Sequence, residues 1–123
     1  MDLIADTSFF IDLQRKKPGP AEWVSANPKA RLVLTPITYA ELLVGQPEES
    51  IVKAFVGSGP RLEIGFDTAK EFGRLARLLR QTGQLIGPHD LWTASIAIVN
   101  GLPVLTRNIS EFARVPELRV ETY

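Results

Sequence analysis

Short apolar runs, each followed by a helical stretch, constrain the fold of this chain more than any other feature. Leu3-Ile4-Ala5, Arg31-Leu32-Val33-Leu34-Thr35, Arg61-Leu62-Glu63-Ile64-Gly65-Phe66 and Leu102-Pro103-Val104-Leu105-Thr106 read as strands, with Leu118-Arg119-Val120 a short fifth. After the first run, Phe9, Phe10 and Leu13 recur at helical spacing until Lys16-Lys17-Pro18-Gly19-Pro20. Pro20-Ala21-Glu22-Trp23 starts a second helix, Ile37 to Val44 forms a short one ended by Gly45, and Glu48 to Val56 another. Asp67 to Gln81 is the clearest helix, with Phe72, Leu75, Ala76 and Leu79 on one stripe. The helix from about Asp90 to Asn100 is apolar nearly all round, so it should be buried on more than one side. Strands alternating with helices predict an α/β fold, a parallel sheet covered on both faces. In such folds ligands bind beyond the carboxyl ends of the strands, at the point where strand order reverses.

The chain has 123 residues, with no repeat, low-complexity stretch or linker, so a single domain over 1–123 is expected. No apolar run reaches the roughly 18 residues of a membrane span. The start, Met1-Asp2-Leu3-Ile4-Ala5-Asp6, lacks the basic segment of a signal peptide. There are no cysteines, which excludes disulfides, thiolate chemistry and cysteine metal sites and makes a cytoplasmic protein the natural expectation. Fourteen basic residues balance 14 acidic ones. A protein gripping nucleic acid through phosphates alone would be more basic, but a carboxylate metal site offsets basic residues elsewhere, so neutrality excludes no nuclease.

Four acids stand at informative places, and each alone has an ordinary structural reading. Asp6 directly follows the first strand, where Asp-Thr-Ser also suits a helix cap. Glu41 lies on a short helix where a glutamate commonly faces solvent. Asp90 begins the most buried helix, at the end whose macrodipole favours an anion. Glu111 lies three residues after Asn108, the spacing of a capping box. Taken together they read differently. Carboxylates gathered near one point repel, and such a group persists mainly when a divalent cation neutralises it. Oxygen ligands without a histidine or cysteine set suit Mg²⁺ or Mn²⁺, ions that activate water for in-line attack on a phosphodiester.

The segments carrying these acids, Leu3-Ile4-Ala5-Asp6-Thr7-Ser8, Ile37-Thr38-Tyr39-Ala40-Glu41-Leu42, Ile86-Gly87-Pro88-His89-Asp90 and Thr106-Arg107-Asn108-Ile109-Ser110-Glu111-Phe112, resemble PIN domains. The resemblance is closest to the VapC-like toxins of toxin–antitoxin pairs, and it runs in order along almost the whole chain, to the ending Phe112 to Glu121. It implies a three-layer α/β/α fold with a mostly parallel sheet of four or five strands. It also implies an Mg²⁺- or Mn²⁺-dependent endoribonuclease in which Asp6, Glu41 and Asp90 match the family's first three acids. Glu111 stands where many relatives carry aspartate, with Asn108 a polar partner and Thr7 and Thr106 supporting hydroxyls. The implied partners are RNA, a cognate antitoxin and a second copy of the chain. Between Gly45 and Arg61 the chain is shorter than the helical hairpin usual in these toxins, which affects the partner groove rather than the acids.

His89 is the only histidine, and metal-activated water needs no histidine, so it reads as solvent-facing or locally bonded. Trp92 belongs to the core or a dimer contact, and Trp23 is the other candidate for stacking on bases. Lys70, Arg74, Arg77 and Arg80 read as a solvated helix face, whereas Arg107 and Arg114 stand nearer the acids as candidates for phosphate contact. Two competing functions remain on sequence grounds. One is a catalytically weak or inactive module that binds RNA or a protein partner. The other is a phosphatase with Asp6 as nucleophile, which would want a lysine after a strand, and none stands there.

Overall fold

Leu3, Ile4 and Ala5 are wholly buried, and their side chains alternate between two separate apolar clusters. That alternation sets the architecture of the computed structural model, which describes residues 1–123. The elements run β1 Asp2–Ala5, α1 Thr7–Gln14, α2 Pro18–Ala26, β2 Arg31–Val33, α3 Pro36–Gly45, α4 Glu49–Val56, α5 Phe66–Gln81 and α6 Pro88–Asn100. They end with β3 Val104–Leu105, α7 Ile109–Phe112 and β4 Val120–Glu121. The four strands pair in the order β2-β1-β3-β4, all parallel. Leu3 stands opposite Leu32, Ile4 opposite Val104, and Val104 opposite Val120.

Leu3, Ala5 and Leu105 face one side of the sheet, where Phe9 and Phe10 of α1, Leu42 of α3 and Val52 of α4 cover them. Ile4, Val33 and Val104 face the other, against Leu75 and Leu79 of α5, Leu91 to Ala97 of α6, and Phe112 of α7. This is the expected α/β/α arrangement with four strands. Because β2 lies on one side of β1 and β3 on the other, strand order reverses between β1 and β3. The carboxyl ends of those two strands are where a ligand site belongs.

Local sequence explains most element ends. Thr35 caps α3 by accepting the Thr38 amide at 3.3 Å, and Pro36 sits where a helix has no use for an amide. Proline likewise opens α2, at Pro18 rather than Pro20, and α6, at Pro88. Gly101 ends α6 in the left-handed conformation, φ 64°. Six of the seven residues from Leu91 to Ala97, all but Trp92, are buried, as the all-round apolar character of α6 predicts. Trp92 packs on Phe72 of α5, ring centroids 4.2 Å apart. On the far side of α5, Lys70, Arg74, Arg77 and Arg80 are exposed, and Arg74 is paired with Glu71.

Arg61–Phe66 corrects the sequence reading. It is not a strand: the Leu34 amide donates to Pro60 O and the Leu62 amide to Leu34 O, forming one bridge at Arg61. The chain then leaves the sheet edge to begin α5. Leu62 and Ile64 are half-buried against the core while Glu63 is exposed, which gives the alternation of a strand without its ladder. Between Gly45 and Arg61 the chain holds the single short helix α4, anchored by the wholly buried Val52. No helix is long and apolar enough to cross a membrane.

Candidate active site

The ends of β1 and β3 lie side by side, the Asp6 amide donating to Leu105 O at 3.0 Å. Each strand delivers one polar side chain into the notch above them. Asp6 is 4% exposed, and its Oδ2 accepts hydrogen bonds from Thr106 Oγ at 2.9 Å and Ser8 Oγ at 3.2 Å. Although Asp6 occupies the cap position of α1, its side chain makes no cap hydrogen bond, so capping does not explain it. Burial pushes its pKa up, the Thr106 and Ser8 hydroxyls draw it back, and the nearby charge of Glu41 raises it again.

Glu41 reaches the notch from α3. Its Oε1 accepts from Thr7 Oγ at 2.7 Å, and Thr7 in turn lies 3.4 Å from the buried Thr38 hydroxyl. Its Oε2 lies 3.1 Å from His89 Nδ1, so the lone histidine is locally bonded. Asp90 comes from the first turn of α6 and Glu111 from the first turn of α7. No side-chain cap bond forms at Asn108, so the capping-box spacing is not used as one. The Asn108 amide instead donates to Thr106 Oγ at 2.9 Å.

Asp90 records how closely the acids gather. Its pKa is pushed up to about 8, first by burial, then by a hydrogen bond shared with Glu111, then by the charges of Asp6, Glu111 and Glu41. Asp90 therefore feels the charge of each of the other three predicted acids. Beside them opens a cleft of about 460 Å³ lined by Glu41, Gly87, Pro88, His89, Asp90 and Asn108. Glu41, His89, Asp90 and Asn108 give it polar groups able to meet a charged ligand.

The side chains do not close into a ready cage of three or more ligands. Glu41 is held by Thr7 and His89. The donor set still fits a hard cation. Mg²⁺ commonly takes only one or two carboxylates directly and keeps several waters, and all four acids offer oxygen alone.

This repulsion has a consequence for stability without metal. The raised pKa of Asp90 means its protonated form favours the fold. That contribution is complete below the unfolded value of 3.8 and is lost as pH rises through about 8. Asp90→Asn should remove this pH slope and stabilise the chain near pH 8 by about 1–2 kcal/mol, a figure kept small because the half-buried carboxyl is screened by water. Urea unfolding in EDTA between pH 4 and 8 measures it. Parallel curves for the two proteins would refute the clustering.

The two arginines near the acids are both engaged with protein groups. Arg107 Nη1 donates to Asp12 Oδ1 at 2.6 Å, and Arg114 Nη1 to Leu85 O at 3.3 Å. Sequence reasoning missed Ser8, Thr38, Asp12 and Tyr123. Ser8, two residues from Asp6, carried a signal in the run Asp-Thr-Ser. Nothing in the sequence announced that Asp12 would be buried or that Tyr123 would donate to it at 2.8 Å.

Known proteins resemble this chain along its whole length. The chain is 33% identical to ribonuclease VapC1 of Haemophilus influenzae (strain R2866), over 97% of this chain and 96% of that protein. It is 31% identical to the tRNA(fMet)-specific endonuclease VapC of Salmonella typhimurium (strain LT2), over 100% and 98%. Among solved structures, VapBC2 from Rickettsia felis, bound to a DNA fragment from its promoter, superposes with a TM-score of 0.87 at 25% identity, covering 100% of this chain and 99% of that one. The family model of the PIN domain matches residues 3–118. Over nearly its whole length, this chain belongs to the PIN domain family.

Proposed function

We propose that this chain is an endoribonuclease dependent on Mg²⁺ or Mn²⁺, and the toxin of a toxin–antitoxin pair. The reading rests on Asp90, whose carboxyl feels the charges of Asp6, Glu41 and Glu111, and on the open cleft that Glu41, His89, Asp90 and Asn108 line. The ribonuclease relatives and the VapBC complexes among the structural neighbours support it.

Asp6 and Asp90 are the acids to hold the ion, with Glu41 and Glu111 completing its surroundings directly or through water. When bound, the ion supplies the positive charge that acidifies a water and offsets the charge built up in an in-line attack on phosphorus. The protein's part is orientation. Thr106 and Ser8 fix one oxygen of Asp6 and leave the other free of these bonds. Thr7 and His89 fix Glu41. Asn108 and His89 line the cleft as hydrogen-bonding groups for phosphate or ribose.

A cognate antitoxin would block this site by placing a basic side chain among the carboxylates. A homodimer and a cytoplasmic location complete the proposal. The test is incubation of the purified chain with total RNA and with transfer RNA, in Mg²⁺, in Mn²⁺ and in EDTA. Discrete products that require metal are expected. Intact RNA in every lane, from folded chain free of antitoxin, would favour a non-catalytic binding module.

A further inference from the structure

Asp12 is a carboxylate that the proposed chemistry does not use, yet it is 2% exposed and carries three partners. Its Oδ1 accepts from Arg107 at 2.6 Å and lies 3.5 Å from Lys17 Nζ, while Oδ2 accepts from the Tyr123 hydroxyl at 2.8 Å. The Tyr123 ring stands edge-on to Phe9 of α1, centroids 5.2 Å apart. Burying a carboxylate costs several kcal/mol unless it is paired this fully, so a mid-helix position would ordinarily hold an apolar residue.

Ser8 and Asp12 are four residues apart on α1 and so share one face of it. That face grips Arg107 at both ends: Ser8 Oγ accepts the Arg107 amide at 3.2 Å, and Asp12 accepts its guanidinium. The residues on either side of Arg107 are the ones that matter to the site. Thr106 donates to Asp6 Oδ2, and the Asn108 amide donates back to Thr106. Segment 106–108 therefore has one side-chain anchor outside the notch, the pair Asp12–Arg107.

We propose that Asp12 and Arg107 are positioning residues that act at a distance on the metal site by clamping segment 106–108 against α1, so that Thr106 and Ser8 hold Asp6 in its ligating orientation. This rests on the proposed metal-dependent function, but the clamp itself can be judged without it. It assigns Arg107 a task different from contact with RNA phosphate.

Arg107→Gln is the test, since the Arg107 side chain is half exposed and Asp12 keeps its Tyr123 and Lys17 partners. Asp12→Asn is the companion variant. Two quantities are read: hydrogen exchange at the amides of Arg107 and Asn108, and Mn²⁺ binding followed by electron paramagnetic resonance. The clamp predicts faster exchange at both amides and a Kd for Mn²⁺ raised about 10- to 100-fold, the usual cost of losing an outer partner of a metal ligand. Unchanged exchange in Arg107→Gln would overturn the clamp. A raised KM for RNA with unchanged Mn²⁺ affinity would also overturn it, because that is the signature of a phosphate contact. If the wild-type chain binds no Mn²⁺, the metal-dependent reading fails, and the exchange data still decide whether the clamp exists.

Discussion

Asp6→Asn should leave the chain folded and lower RNA cleavage by more than about 100-fold, above the loss typical of an outer-shell change. Asparagine matches aspartate in shape, and its carbonyl oxygen can accept the Thr106 and Ser8 hydrogen bonds that Oδ2 accepts now. The other corner then becomes an NH₂ group, a donor that repels a cation. Folding should not suffer, because burial already disfavours the charged form of Asp6 and the amide carries no such penalty. The measurement pairs an RNA cleavage assay with a thermal melt of the same preparation. Full activity in a folded variant would end the assignment of Asp6 as a ligand.

Phe112→Ala should lower stability by about 3–5 kcal/mol, the range for an aromatic removed from a packed core. Such a loss is a large share of the roughly 5–15 kcal/mol that holds a domain of this kind together. Phe112 is wholly buried, packed among Leu75, Leu79, Ile86 and Val115 in the cluster beneath α5 and α6. It is also the anchor of α7, a helix of four residues that has too few turns to stand alone. Glu111 is its neighbour in sequence, so undocking α7 also withdraws the fourth acid. The shift of the urea midpoint measures the first effect. Cleavage at temperatures where the variant is still folded measures the second. An unmoved midpoint would mean that α7 is not seated as described.

Much of this was legible because the relevant forces are local. Leu3-Ile4-Ala5 had to be a covered strand, and the stripe Phe72, Leu75, Ala76 and Leu79 had to face a core. Three of the four acids were legible as residues at or near strand ends or helix starts, whereas Glu41 lies mid-helix in α3. Arg61–Phe66 was misread because alternation reports half-burial of an extended segment, whereas a strand also needs continuous partners, and this segment meets β2 at one residue only. Asp12 was invisible for another reason. Phe9-Phe10-Ile11-Asp12-Leu13 says nothing of an arginine 95 residues later. Long-range pairing of a buried charge leaves no local periodicity to detect.

The order of the strands also sets a clock on synthesis. The central strand β1 leaves the ribosome before β3, and Thr106, which donates to Asp6, stands 100 residues behind Asp6. At about 5–20 residues per second, that interval is roughly 5–20 s. Through all of it β1 has no β3 to pair with, Asp6 lacks its Thr106 donor, and Glu111 has not been made. A nascent or prematurely terminated chain therefore has no assembled cluster of acids. If the proposed site is right, its chemistry waits until the segment from β3 to α7 docks, and whatever restrains it has that interval in which to be present.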